Sequence, residues 1–160
     1  MKYSITKNGV PLDKSLYTMD EETKTFSTNE SGLVLDFRNV DYCTFKTGSD
    51  CTFKTNSYCT FNTGSDCTFN TGLDCTFNTG SDCTFNTGSD CTFNTGSDCV
   101  VVRRDIYEVI ELKEGVKIKL KGLCIKGFTL VDTPKETITI GGVTYLKEEV
   151  ENALKDIKSV

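Results

Sequence analysis

Between Cys43 and Cys99 the apolar positions keep a fixed beat, with cysteine at every eighth place, phenylalanine two places later and polar residues in the gaps. The repeated phrase is Cys-Thr-Phe-Asn-Thr-Gly-Ser-Asp. Cys43, Cys51, Cys59, Cys67, Cys75, Cys83, Cys91 and Cys99 open it, and Phe45, Phe53, Phe61, Phe69, Phe77, Phe85 and Phe93 hold its third place. The first five residues alternate as a strand does, so Cys, Phe and the second Thr share one face while the first Thr and the Asn (or Lys46, Lys54) share the other. The face with Cys and Phe is the interior. Gly-Ser-Asp then makes a corner, in which Gly is expected to supply a positive φ and Asp to bond its own backbone. A beat this strict predicts a stack in which each unit buries its apolar face only against its neighbours.

Leu35 at the Cys place and Phe37 at the Phe place carry the register one phrase further back, which makes eight phrases over 35–98. Tyr42 and Tyr58 replace Asp at the eighth place, sixteen residues apart. Aromatics stacked one coil apart favour two phrases per coil, hence four coils of sixteen, over a triangular coil of twenty-four. A flat coil also suits Phe, because facing sheets sit about 10 Å apart.

The flanks read as separate pieces. Residues 1–34 form an N-terminal cap of two hairpins. In the first, Tyr3-Ser4-Ile5-Thr6 is a strand and Asn8-Gly9 a turn; the second runs from Leu16-Tyr17-Thr18-Met19 through Asp20-Glu21-Glu22 to Lys24–Thr28. Residues 35–99 are the solenoid. Residues 100–160 are a C-terminal unit with strands over 106–112, 116–121 and 123–131, and a hairpin over 137–145. An amphipathic helix from Leu146 to Ile157 closes it, with Leu146, Val150, Ala153, Leu154 and Ile157 on its apolar face. The fold class is an all-β repeat solenoid, a two-sheet β-helix of about 16 residues per coil, with a small β-rich C-terminal unit ending in one α-helix.

Charge and composition narrow the chemistry. The 160 residues carry a formal net charge of -5 and no histidine, which removes the commonest general base and metal ligand. The charge balance argues against nucleic acid and anionic membrane as partners. No apolar run has the length of a membrane span and the start has no signal-peptide core, so a cytoplasmic protein is expected. The nine cysteines stand where small buried hydrophobes would, and are expected as reduced core thiols, because a spacing of eight does not make the close pairs zinc needs. No catalytic, cofactor-binding or metal-binding residue is assigned. The Asp column (Asp50, Asp66, Asp74, Asp82, Asp90, Asp98) reads as turn bonding in preference to calcium. Two features after the repeat are candidate surfaces. Arg103, Arg104, Lys117, Lys119 and Lys121, with Lys113 and Lys126 near them, form a basic face for a phosphate or an acidic partner. Leu146, Val150, Leu154 and Ile157 form an association helix.

The repeat, with its closing sequence Cys99-Val100-Val101-Val102-Arg103-Arg104-Asp105 and the ending Thr139-Ile140-Gly141-Gly142-Val143-Thr144-Tyr145, resembles the Cys-Thr-Phe-x-Thr-Gly octapeptide-repeat proteins of bacteriophages and environmental sequences. That resemblance implies a viral or mobile-element context and transfers no site residues. The outer columns of Thr and Asn are also similar in geometry, though not in motif, to the ice-binding faces of β-solenoid antifreeze proteins. Together these features predict a non-enzymatic structural or protein-interaction module, phage-encoded, in the host cytoplasm or the virion. Its partners would be further copies of itself or another phage or host protein, with no cofactor, nucleic acid or membrane. The alternatives are an ice-binding or small-anion-binding solenoid, and a phage inhibitor of a host defence protein.

Overall fold

Every Thr-Phe-Asn segment of the repeat is a strand, and successive strands fall alternately on two facing sheets. The computed structural model describes residues 2–131, 137–141, 143–146 and 150, in two compact units, Met1–Leu130 and Val131–Val160. The first unit opens with three short strands, β1 (Ser4–Lys7), β2 (Val10–Pro11) and β3 (Thr18–Asp20). The stacked strands follow as β4 (Thr25–Ser27), β5 (Leu33–Phe37), β6 (Thr44–Lys46), β7 (Thr52–Thr55), β8 (Thr60–Asn62) and β9 (Thr68–Asn70). They continue through β10 (Thr76–Asn78), β11 (Thr84–Thr87), β12 (Thr92–Asn94) and β13 (Cys99–Arg103). From β4 to β13 sheet I takes the odd-numbered strands and sheet II the even ones, and these ten are parallel within each sheet.

Through the repeat the pairing is in register, Thr on Thr, Phe on Phe and Asn on Asn, as in Thr76↔Thr92, Phe77↔Phe93 and Asn78↔Asn94. Sixteen residues per coil follow directly. The rings stack accordingly. Phe45, Phe61, Phe77 and Phe93 lie nearly parallel at 5.1, 4.9 and 4.9 Å on sheet II, and Phe53, Phe69 and Phe85 at 4.9 Å on sheet I. Across the core the two stacks meet edge to face at 4.9–5.6 Å. Both geometries suit the aromatic quadrupole, and each such pair adds about 0.5–1.5 kcal/mol beyond burial. The tyrosines behave as their spacing predicts: Tyr42 and Tyr58 stack at 4.8 Å, 9° from parallel.

The stack holds five coils, one more than the phrase count, because β4 and β13 join it. The start of the register also differs from the sequence reading. Leu35 pairs with Phe53 and Phe37 with Thr55, so Leu33 stands level with Cys51 and the phrase over 35–42 is displaced by two places. The cause is a corner of five residues, 38–42, where the later corners have three. It folds inward through Val40, which is buried and donates its amide to the Phe37 carbonyl at 2.9 Å. Leu and Phe fit the apolar places in either register, so periodicity alone does not tell the two apart.

Both ends are closed by antiparallel strands. β1 lies on β5 and β2 on β1, with Asn8 and Gly9 both at positive φ in the turn, and β3 lies on β4. At the other end β14 (Glu108–Leu112) covers β13, β15 (Ile118–Leu120) covers β12, and β16 (Phe128–Leu130) pairs with β15. Residues 99–130 thus extend the two sheets of the solenoid. In the second unit β17 (Thr137–Ile140) and β18 (Val143–Leu146) form the expected hairpin around Gly141. Leu146 ends that hairpin instead of starting a helix, since it pairs with Thr137. Val150 is helical, and the remainder of the helix expected to reach Ile157 lies outside the described residues.

The corners invert the expected division of labour. The positive φ sits on the eighth residue (Asp50, Asp66, Asp74, Asp82, Asp90, Asp98, Tyr42 and Tyr58, all between 53° and 62°), and the corner glycines from Gly48 to Gly96 are not among the positive-φ residues. Asp tolerates the left-handed region better than most residues. Glycine is there for close approach. A Cβ on Gly64 would lie 2.2 Å from Ser49 Oγ, and one on Gly72 2.1 Å from Ser57 Oγ. The serines in turn form a ladder, each Oγ accepting the amide one coil on: Ser65 N to Ser49 Oγ, Ser81 N to Ser65 Oγ and Ser97 N to Ser81 Oγ, all 3.1 Å.

Candidate functional site: the outer columns and the basic residues

The pleat turns the first Thr and the Asn of each phrase outward, and stacking makes columns of them. On sheet II, Thr44, Thr60, Thr76 and Thr92 form one column, with Lys119 of β15 level with Thr92. Beside it Lys46, Asn62, Asn78 and Asn94 form a second, whose amides bond along the axis, Asn78 Nδ2 to Asn62 Oδ1 at 3.2 Å and Asn94 Nδ2 to Asn78 Oδ1 at 3.4 Å. On sheet I the columns are Val34, Thr52, Thr68, Thr84 and Val100, and Asp36, Lys54, Asn70, Asn86 and Val102. Two regular faces therefore exist, and both carry the Thr-x-Asn pattern.

The basic residues expected to share a face do not. Arg103 is fully buried, with 0% exposure, and forms no part of a binding surface. Its guanidinium grips Asp105 at 2.6 and 3.2 Å, donates to the carbonyls of Ile125 (2.7 Å) and Gly122 (3.2 Å), and faces Glu108 at 3.7 Å. Asp105 accepts the Cys124 amide and Glu108 the Gly127 amide, so this cluster fastens loop 122–127 to the end of β13. Strand phase carried the signal. Cys99, Val101 and Arg103 alternate, and the first two point inward. Arg104 is exposed on sheet I, where it donates to Asn70 Oδ1 and the Thr71 carbonyl. Lys117, Lys119 and Lys121 alternate with the buried Ile118 and Leu120 on sheet II. The two groups belong to opposite sheets. Of the expected association residues, Leu146 and Val150 are placed as described above, and Leu154 and Ile157 lie outside the described residues.

The cysteines stand in two interior columns, Cys43, Cys59, Cys75 and Cys91 beside sheet II and Cys51, Cys67, Cys83 and Cys99 beside sheet I. All eight are buried and free, while Cys124 is free and exposed. Seven of the eight thiols lie against a carbonyl two residues back, as Cys51 does against Ser49 O at 3.3 Å, and the Cys91 thiol lies against Gly72 O at 3.7 Å. Burial pushes Cys99 up. Cys67 and Cys75 are pushed up first by donating to thiols one coil away and then by burial, whereas Cys59 is drawn down by the hydrogen bonds Cys43 and Cys75 would give its thiolate. Burial acts on every rung, and at Cys43 the hydrogen bond to Cys59 and burial outweigh the pull of Lys24; in these columns the cysteines pack as small hydrophobes. Among the described residues no three His, Cys, Asp or Glu side chains gather around one point, and no helix is long and apolar enough to cross a membrane. Two shallow hollows lie at the surface, about 430 Å³ beside Tyr17 and Lys46 and about 310 Å³ beside Leu73 and Arg104. No family model, curated protein or solved structure matches the chain.

Proposed function

We propose that this chain is a non-enzymatic structural or interaction module, encoded by a phage or other mobile element, whose solenoid serves as a rigid spacer with two regular faces. The observation that supports it is the pair of outer columns on sheet II, Thr44 to Thr92 and Asn62 to Asn94, repeated without change at one-coil spacing and tied lengthwise by amide bonds. Uniform rungs distribute any contact evenly, and a surface of that kind suits a long, shallow partner or a fixed separation better than a point-like ligand. The octapeptide resemblance supports the viral context, in the host cytoplasm or the virion.

The reading is tested against its ligand-binding alternatives. A melting-temperature screen with nucleotides, sugar phosphates and polyphosphate is expected to leave the transition unmoved. A saturable rise that Lys119→Glu abolishes would replace the spacer reading with an anion-binding one. Thermal hysteresis in ice growth, if present in the parent protein and lost in Thr76→Tyr, would replace it with ice binding.

A further inference from the structure

The two ends of the solenoid are stepped, and the steps are complementary. At the N-terminal end sheet I runs two strands past the first coil, β1 and β2, and sheet II one, β3. At the C-terminal end sheet I runs one strand past the last coil, β14, and sheet II two, β15 and β16. β2 and β16 therefore overhang with no strand facing them in the first unit.

Each overhang turns an apolar face toward the core axis. β16 pairs Leu130 with Ile118 and Phe128 with Leu120, whose side chains are buried, yet Phe128 and Leu130 are 41% and 68% exposed. β2 pairs Val10 with Lys7, on the face of β1 that carries buried Ile5, and Val10 is 64% exposed. Next to it Leu12, bonded to Ile5, packs only partly on the core. The edges differ as well. Pro11 interrupts β2, Glu108 and Glu111 guard β14, and β3 ends in Asp20 beside Glu21 and Glu22, whereas β16 reads Phe-Thr-Leu with neither charge nor proline. An edge left open in this way is a template for another strand.

We propose that the chain associates head to tail, β16 of one copy adding to β3 of the next, so that sheet II continues from copy to copy. β16 runs in the same direction as the repeat strands of sheet II, and β3 runs against them. A copy moved along the axis without turning over therefore presents β3 antiparallel to β16. Placing Leu130 opposite Tyr17 and Phe128 opposite Met19 puts both apolar pairs on the core face, where Tyr17 and Met19 already lean on the core. The same register sets Lys126 opposite Glu21. The incoming β2 overhang then lays Val10 and Leu12 across from Phe128 and Leu130. Such a contact joins two different surfaces and does not close on itself, so it builds open chains of copies. The inference is independent of the spacer role: a chain that stacks but binds a ligand refutes that role and leaves this contact standing.

The test is the mass of the full chain in light scattering and sedimentation over a wide concentration range, with negative-stain images at the top of it. The mass is expected to climb with concentration past two copies. Leu130→Lys and Val10→Lys, both at exposed positions, are each expected to hold the protein as a monomer with an unchanged melt. Mixed together they should pair through their intact ends and stop at two. Glu21→Lys and Lys126→Glu should each weaken association, and the double reversal should restore it. A monomer at every concentration overturns the proposal. So does a dimer that stops at two copies and survives Val10→Lys.

Discussion

At the scale of single residues, the octapeptide separates two properties that turn chemistry usually combines. Asp or Tyr bends the chain, and Gly lets the next coil approach. Gly64 and Gly88 occupy the same place in the phrase, but a Cβ on Gly64 would meet Ser49 Oγ at 2.2 Å and the Ser49 amide at 3.0 Å, whereas on Gly88 its nearest neighbours would be the Leu73 Cβ at 3.3 Å and the Gly72 carbonyl and Leu73 Cα at 3.4 Å. The serine cannot rotate away without giving up the Ser65 amide it accepts. Gly64→Ala is therefore expected to destabilise by about 1–3 kcal/mol, the usual range for overpacking, and Gly88→Ala by less. Chemical denaturation of both variants checks the order. An equal loss would mean that the glycines matter for backbone freedom after all. The sequence shows that a small residue is required in each corner; it does not show why, because the obstructing serine is fifteen residues away in the chain and adjacent only in the stack.

At the scale of the element, β13 is the strand on which the repeat ends, and Arg103 is its last inward position. Here Val101 holds the Phe place, level with Phe85, and a buried cation stands level with Thr87, where it also bonds the loop that follows. Burial pushes the Asp105 carboxyl up, but the Arg103 hydrogen bonds, the Cys124 amide and the Arg103 charge outweigh it and hold the carboxyl below its ordinary value. A carboxylate with a depressed folded-state pKa contributes stability above the unfolded value, near about 3.9, and that contribution fades as pH falls through the folded value. Asp105→Asn is expected to cost about 3 kcal/mol at neutral pH, the low end for a broken buried pair, because Glu108 still faces the guanidinium at 3.7 Å. The gap between parent and variant should narrow in denaturant melts below about pH 4. A gap that stays constant down to acid pH would show that the charge on Asp105 is not what holds the loop.

At the scale of the whole repeat body, the coil and not the phrase is the unit of construction. Deleting 67–82 removes one coil and joins Asp66 to Cys83 in unbroken register, with every later strand still on its own sheet. Deleting 67–74 removes half a coil and moves every later strand to the opposite sheet. β14 and β15 would then meet the wrong partners, since each closes a particular sheet. The first deletion is expected to keep a β-rich circular dichroism spectrum and a cooperative melt, and the second to lose the sharp transition. Nearest-neighbour stacking supports the first outcome, because an interior coil contributes only its own interfaces. Equal tolerance of both deletions would contradict the capping assignment.

The sequence alone determined the strand-and-corner unit, the inward place of Cys and Phe, the sixteen-residue coil and both N-terminal hairpins. These depend on alternation and spacing, which are local. The tertiary structure decided the two-place shift of the first coil, where Val40 tucks into a longer corner, and the fifth coil that β4 and β13 complete. It also decided the burial of Arg103, the separation of Arg104 from Lys117, Lys119 and Lys121 onto opposite sheets, and the complementary steps at the two ends. Each of these depends on which residues become neighbours across coils or at the last rung. A repeating sequence is the same at every rung, so it specifies the interior of a stack fully and its boundaries hardly at all.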